Sequence, residues 1–539
     1  MNCSEQFTEY SKGEGICIYC GSNKVSDSKT TINVLKQLAK ENDMVIIATD
    51  PDTEGEKIAY DVFLVVSPFA KEIKRAELHE ITFKAFNDAL KNLRTVNKNF
   101  VSAQIVRRVG DRWVGYTVSN VLQEKYGIKT LGIGRVQAPT LGWIIDNYNK
   151  HKRGRKRYFI LTLENENQRL QVNSKTVRIK KGDRKTARAI KKALIGKEIE
   201  IEKVSIVKGR LYPPKPFTTS EMLMEGVNKL KMTSEKIMRL AQDLFEAGLI
   251  TYHRTDSYYI SNVGLQIAYN YLKDNNMADL YEKKQYASPG THECIRPTKP
   301  LDKYQLENAI ASGSIRIPIQ LRQEHYMLYD LIFRNFIASQ MRPARVKRIK
   351  ISFKDIKIKI EDKEFNLQLN KIANVIVECD ENSFAKVLPV NVFRKLLDLK
   401  EGRKFKIVDV QVRKKVTMLL TEDSLIKLMK IKGIGRPSTY SITIQKLKDH
   451  RYIFTSPLRK MLLPTKMAIR IYTYLKGQYN WIVDVELTRK FERIMDEIEQ
   501  GLKTDIDSIL KEFWEEYYVK VLDRATTFRE EASTKIVVD

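Results

Sequence analysis

The β pattern of this chain is written twice, and the stretch between the two copies is helical. Tyr158 to Leu163 and Ile199 to Val207 are β-rich runs. Val346 to Ile360 then alternates through Ile349, Ile351 and Phe353 and again through Ile356, Ile358 and Ile360. The change of register at Lys354-Asp355 predicts a turn or a bulge. Between these blocks Thr218 and Glu221 form a capping box. Ile237, Met238, Ala241, Leu244 and Phe245 recur at helical spacing, with Gly248 as the stop. One β domain is thus entered, left for a helix-rich insert and re-entered. At 539 residues the chain is also too long for a single core, and three or four modules are expected.

The N-terminal part reads differently. Thr30 to Leu38 predicts a short helix, Met44-Val45-Ile46-Ile47-Ala48 an apolar strand, and Glu56 to Val66 a second helix. Thr49-Asp50-Pro51-Asp52-Thr53-Glu54-Gly55-Glu56 joins them, so its carboxylates stand at the carboxyl end of a strand, where α/β folds bind ligands. Thr82 to Leu93 and Ser102 to Tyr126 are helical in pattern, the second carrying Arg107, Arg108 and Arg112. After Ser424 the chain is helical again and ends its periodicity at Leu487, Phe491, Ile494 and Ile498, with Gly501 as a stop. The fold class expected is multidomain α/β plus α+β.

Lys and Arg total 95 against 66 Asp and Glu, a formal charge of +29 spread along the chain. A basic surface around a groove attracts phosphates and binds them in a salt-dependent way. A merely basic surface is the other reading of charge alone. No signal peptide or membrane-length apolar run is present, so a cytoplasmic location and no membrane contact are expected. Five cysteines are too few and too scattered for a disulfide framework. Cys17-Ile18-Tyr19-Cys20 is a CxxC knuckle of the kind that grips Zn²⁺, but Cys3 is the one other cysteine nearby and tetrahedral zinc needs four ligands. No GxxxxGK[ST] run occurs, so no Walker-type ATP site is expected in this chain.

Two segments carry chemistry. Asp50, Asp52 and Glu54, with Glu56 continuing the spacing, repel one another unless a cation intervenes. Mg²⁺ takes one or two carboxylates and leaves its other positions to water and phosphate oxygens. An acidic solvated loop is the competing reading. In Ile250-Thr251-Tyr252-His253-Arg254-Thr255-Asp256-Ser257, Tyr252 offers a phenol and Arg254 a guanidinium two residues on. Read as a strand, the segment turns both toward one phosphate. Tyrosine has an ordinary pKa near 10 and needs positive charge or a proton acceptor nearby to act as nucleophile. Gly290-Thr291-His292-Glu293-Cys294-Ile295-Arg296-Pro297-Thr298 adds His292 and Arg296, and Gly433-Ile434-Gly435-Arg436-Pro437-Ser438-Thr439-Tyr440 allows close approach of a DNA backbone.

Taken in order, the acidic turn, Arg107-Arg108-Val109-Gly110-Asp111-Arg112, Gly134-Arg135-Val136-Gln137, the Tyr252 segment, the His292 segment and the Arg436 segment resemble those of type IA DNA topoisomerases, from about residue 44 to about residue 500. The resemblance implies a toroid with a partial Toprim domain, a β-rich arch and helix-rich, winged-helix-like modules. It divides the chain into a partial zinc knuckle (1–28), a partial Toprim domain (29–96), a helical DNA-binding domain in two parts (97–153 and 419–539), a β arch in two parts (154–214 and 343–418) and a tyrosine domain (215–342). It makes Tyr252 the nucleophile that forms a 5′-phosphotyrosyl link and Arg254 its phosphate-positioning partner, with His292 and Glu54 also catalytic. It makes Asp50, Asp52 and Glu54 the Mg²⁺ triad, and Arg107, Arg108, Asp111, Arg112, Arg135, Arg296 and Arg436 DNA contacts.

Within the family the Asp50–Ala59 run, with Thr53 where arginine is usual, resembles reverse gyrases, as do the cysteine knuckle and Leu141-Gly142-Trp143-Ile144-Ile145. That likeness implies a hyperthermophilic source and a helicase-like ATPase supplied elsewhere. Two departures stand out. The family's VESPxK-like strand, whose glutamate acts as general acid/base, has no counterpart before Cys3, and Gly132-Ile133-Gly134-Arg135 replaces SAGR. The expectation is a topoisomerase module that neither supercoils nor cleaves efficiently alone. A late-starting relaxing enzyme and an impaired single-strand-binding remnant are rivals, and a Toprim nuclease or primase is a third, which would not need the Tyr252 and Arg436 segments.

Overall fold

The computed structural model describes residues 28–153, 156–178, 184–287, 292–360 and 363–518. Cys3, Cys17 and Cys20, and with them the expected zinc knuckle, lie outside these residues. Two compact units are present. One comprises the described residues up to Gly110 with Arg493–Phe513; the other comprises Asp111–Glu492 and the described residues from Trp514 on.

In the first unit, strands Met44–Ile47 and Glu72–Arg75 pair in parallel, Met44 opposite Glu72 and Ile47 opposite Arg75. A parallel pair requires a crossover, here the helix Thr53–Val66, against which the helix Lys29–Glu41 packs. The crossover helix starts at Thr53 rather than Glu56 because Asp52 caps it, its Oδ1 accepting from the Gly55 N–H at 2.7 Å. Glu54 and Glu56 consequently lie in the first helical turn, where negative charge is favoured. The helices Phe83–Lys91 and Lys98–Tyr126 follow, the latter running on into the second unit.

The second unit is built on an antiparallel seven-stranded sheet. Its main order is Ile372–Cys379, Ala344–Phe353, Glu198–Leu211, Lys404–Lys415, Lys156–Glu164, Arg169–Asn173, and the short strand Val177–Arg178 also joins Lys156–Glu164. Phe159, Leu161, Ile199, Ile201, Ile349, Ile351 and Phe405 form its core, closed on one side by Ala187, Ile190 and Leu194 of the helix Arg184–Leu194. Strands from both sides of the helical insert are neighbours: Leu211, where the chain departs, pairs with Ala344, where it returns. The Lys354-Asp355 irregularity is neither a simple turn nor a bulge within one strand. Ile356–Ile360 leaves the main sheet and forms a separate hairpin with Lys363–Leu367, keeping Ile356 and Ile358 buried on the same core.

The insert holds the helices Thr219–Leu230, Ser234–Glu246, Asn262–Asp274, Lys303–Ala311 and Gln323–Ser339. Thr218 and Glu221 make the expected capping box. Ile237, Ala241, Leu244 and Phe245 are buried with Leu240, while Met238 is half-buried. Gly248 has φ +69°, and the Gly248 and Leu249 N–H groups return to Phe245 O and Leu244 O, closing the helix. In the C-terminal module the helices Glu422–Lys432 and Tyr440–Asp449 are followed by the hairpin Ile453–Thr455/Leu462–Pro464. Thr421 bridges Met461 and the Leu462 N–H donates to Leu420 O, so strand, helix, turn, helix and hairpin close into a winged helix.

Candidate active site

The acidic turn is held by hydrogen bonds to its backbone. Arg75, fully buried at the end of its strand, donates from Nη2 to Thr49 O (2.9 Å) and Asp50 O (2.8 Å) and from Nη1 to Ile47 O (3.2 Å) and Ala76 O. Thr49 Oγ1 donates to Gly55 O at 2.7 Å. A Cβ on Gly55 would lie 2.0 Å from Asp50 O, so the turn closes around a glycine for reasons of space. Asp50, Asp52 and Glu54 are half-buried, and Asp52 is engaged as the helix cap. Among the described residues no three Asp, Glu, His or Cys side chains are grouped to hold a metal ion. The donor set fits a shared site instead, with one or two carboxylates here and the remaining ligands from water and phosphate.

Glu56 continues the sequence alternation but faces inward. It is 1% exposed and accepts from Arg94 Nη1 (2.7 Å) and Nη2 (2.9 Å), Arg75 Nε (3.2 Å) and the Asn97 N–H (2.5 Å). Burial alone raises its pKa. The Arg94 and Asn97 hydrogen bonds and the charges of Arg94 and Arg75 more than reverse this, so the carboxyl lies below its ordinary value. Near neutral pH Glu56 is therefore an anion that anchors Arg75, a state unsuited to donating a proton. Periodicity alone did not separate it from Glu54.

Tyr252 is 2% exposed, with the rings of Phe245, His253 and His292 at 5.2, 5.6 and 5.8 Å between centroids. Its segment is not the strand expected. Ile250 makes a single bridge to Pro297, the Thr251 N–H donates to Arg296 O, and Thr251 Oγ1 donates to Cys294 O. Beyond this, Thr219 takes over: its Oγ1 donates to His253 O, its N–H to Thr255 O, and the Thr255 N–H returns to Thr219 Oγ1. Threonine hydroxyls occupy the backbone groups a ladder would need. The chain therefore bends at His253-Arg254, and Arg254 is half-buried at the bend rather than alternating with Tyr252 on a strand.

His253 was not singled out from sequence. It is fully buried, and among the described residues neither ring nitrogen has a hydrogen-bond partner. Burial, with the neighbouring Arg254 charge, pushes its pKa down to about 3, so a neutral imidazole lies beside the phenol. Burial pushes the Cys294 thiol well up, leaving it an inert packing residue.

The arginines of the motifs divide. Arg296 is buried; it grips Glu293 through Nε (2.9 Å) and Nη2 (2.5 Å), donates to Pro297 O, and lies close over Gly264, where a Cβ would come within 2.7 Å of its Cδ. Arg135 is also buried, bonded to Asp111 Oδ1 (2.9 Å), Thr488 O (3.3 Å) and Glu492 Oε1 (3.5 Å), with its guanidinium 4.3 Å from the Phe491 ring centroid. Arg436 is half-buried and bonds Glu492 Oε2 at 2.7 Å. Glu492 thus joins two motifs distant in sequence, a role its place in an ordinary helical repeat did not signal. On Lys98–Tyr126, Arg107 is half-buried, Arg108 is exposed 4.0 Å from Asp61, and Arg112 is exposed over the Tyr116 ring at 5.1 Å. Asp111 bonds Arg135.

A family model described as DNA topoisomerase matches residues 95–510, and one described as Toprim domain matches residues 5–81. With most of its length so matched, the chain belongs to the DNA topoisomerases, and among them to type IA. More particularly it is a topoisomerase module homologous to reverse gyrases. It is 37% identical to the reverse gyrase of Pyrococcus furiosus over 96% of its own length and 36% identical to reverse gyrase 2 of Aeropyrum pernix over 95%. It is 38% identical to reverse gyrase 1 of Aquifex aeolicus over 93%. The chain spans 40%, 40% and 41% of these relatives, respectively. Among solved structures, full-length topoisomerase I from Thermotoga maritima matches at TM-score 0.70 and 31% identity, over 92% of this chain and 81% of that one. No helix among the described residues is long and apolar enough to cross a membrane.

Proposed function

We propose that the chain cuts and reseals one DNA strand with Tyr252, as the topoisomerase part of a positively supercoiling assembly whose helicase-like ATPase lies outside these 539 residues. The observation that carries this is the setting of Tyr252: a phenol enclosed by Phe245, His253 and His292, with Arg254 at the adjoining bend. The Tyr252 oxygen attacks phosphorus and gives up its proton, and the P–O3′ bond breaks. Its electron pair leaves with the 3′ oxygen, which takes up a proton; resealing is the reverse. His292 and Arg254 orient the phosphate. Asp50, Asp52 and Glu54 are the residues that would hold Mg²⁺, which when bound neutralises phosphate charge. Arg108, Arg112 and Arg436 are the arginines we assign to DNA, while Arg135 and Arg296 hold the site together from inside. An ATP-independent relaxing activity is the second reading, favoured by the likeness to topoisomerase I from Thermotoga maritima.

The test uses a single-stranded oligonucleotide labelled at its 3′ end, incubated hot with Mg²⁺ and then denatured. A 5′-phosphotyrosyl link retains label on the protein, and Tyr252→Phe abolishes it while leaving the fold intact. Retention at the wild-type level in Tyr252→Phe overturns the assignment. Plasmid assays with and without ATP and a helicase-like partner separate supercoiling from relaxation.

A further inference from the structure

The winged helix places its charge in an unusual position. On the second helix, Tyr440–Asp449, the exposed residues are Ile442, Lys446 and Asp449, while Gln445 and Lys448 are half-buried and Lys448 is paired with Glu422. The exposed charges cancel, and Gln445 donates its amide to Asp449 at 2.8 Å. A helix with this face is a poor reader of a phosphate-lined groove. The hairpin that follows is the reverse. From His450 to Met461 it carries Arg451, Arg459 and Lys460 and no carboxylate. All three cations are exposed, and none has an ion-pair partner among the described residues.

Its tip is also braced by hydrogen bonds. The Ser456 N–H donates to Met461 O (2.8 Å), the Lys460 N–H to Ser456 O (3.0 Å) and the Met461 N–H to Ser456 Oγ (3.0 Å), with Lys460 held at φ +51°. This brace projects Leu458, 96% exposed, between Pro457 and the two cations, and Phe454 stands 51% exposed on the same hairpin. A lone exposed leucine is ordinary on a protein surface. One pinned at the apex of a cationic hairpin has the make-up of the apolar wedges that proteins press against base steps beside phosphate-gripping Lys and Arg.

We propose that this wing is a second DNA contact, in which Arg451, Arg459 and Lys460 seat the backbone of duplex DNA and Leu458 presses on the terminal base pair where duplex meets single strand. The inference rests on the chain being a DNA topoisomerase, but neither on Tyr252 nor on the metal. It assigns the wing to duplex, apart from the single strand that is cut.

The test is made on the full chain in a Tyr252→Phe background, which prevents covalent capture. The probes are a forked duplex with 2-aminopurine at the junction and a single-stranded oligonucleotide of the tail sequence. The parent protein should raise the 2-aminopurine fluorescence. Leu458→Ala should remove most of that rise with affinity kept within about threefold. Arg459→Ala with Lys460→Ala should weaken forked-duplex binding about tenfold and lower its salt slope by about one to two, leaving single-strand affinity within about twofold. Because these side chains are exposed, melting should be unchanged. Equal losses on both probes would place the wing in the single-strand path and overturn the proposal, as would no loss on either or an unquenched rise in Leu458→Ala. A parent protein that binds neither probe would sink the DNA reading itself.

Discussion

Replacing Glu56 by Gln tests whether the acidic turn rests on a buried anion or merely contains one. The carboxylate compensates the fully buried Arg75, whose guanidinium also holds the carbonyls of Ile47, Thr49 and Asp50. Removing one member of a buried ion pair costs about 3–5 kcal/mol because the other charge stays dry. The second partner, Arg94, is 29% exposed and regains water, which points to the lower end, about 3 kcal/mol. At about 1.4 kcal/mol per factor of ten, the amides of Ile47 to Thr49 should exchange with solvent roughly a hundredfold faster in Glu56→Gln. The pH dependence has a definite sign. Glu56 is depressed in the fold, so its contribution is complete above the ordinary unfolded value of about 4.3 and is lost as pH falls through the lower folded one. Wild-type protection should therefore fall below about pH 4, and Glu56→Gln should lack that step. Exchange within about threefold of wild type would refute the anchoring argument. Cleavage abolished with exchange unchanged would instead assign Glu56 to acid–base chemistry.

Four further outcomes concern the acidic turn and the arginines. Asp50→Asn with Asp52→Asn should weaken Mg²⁺-dependent rejoining more than DNA binding, read by titrating metal in a rejoining assay, whereas Asp52→Ala should add a loss of about 1 kcal/mol in chemical denaturation by removing the cap on Gly55. Arg108→Ala with Arg112→Ala should flatten the salt dependence of single-strand binding by about one to two units of slope, and an unaltered slope would make them ordinary surface residues. Arg296→Met should cost about 3–5 kcal/mol in unfolding experiments, since Glu293 would lose its partner, with the salt slope unchanged.

The helices and main strands were legible because their signals are local: the Thr218 box, the Gly248 stop and the Ile349, Ile351, Phe353 alternation each depend on a few adjacent residues. What escaped depends on partners far along the chain. The Tyr252 segment has strand composition, but Thr219 intercepts its backbone from more than thirty residues away. Ile356–Ile360 continues the strand pattern, yet it pairs with Lys363–Leu367 rather than with the sheet. The wing is two three-residue strands around a Pro-containing tip, too short for period-two alternation to register. His253 carries no sequence mark at all, since its distinction is that neither ring nitrogen meets a hydrogen-bond partner among the described residues.

The motif arginines show where sequence resemblance ends and physical roles begin. A motif fixes which residue stands at a position, while burial decides whether that residue can meet a phosphate. Arg135 and Arg296 belong to motif segments, but each is enclosed by carboxylate and carbonyl acceptors that occupy its fork. Bringing either to DNA would take a buried cation away from Asp111 and Glu492, or from Glu293, a cost a surface lysine or arginine never meets. Arg436 occupies the middle ground: Glu492 holds its Nε while the guanidinium stays partly open, so the same carboxylate that locks Arg135 inside sets the angle at which Arg436 is presented. Glu492→Gln should therefore affect Arg135 mainly through stability and Arg436 mainly through DNA affinity. If both changes vanish together in the Arg436→Ala background, the shared-carboxylate account is wrong, because the stability loss belongs to Arg135 and should persist there.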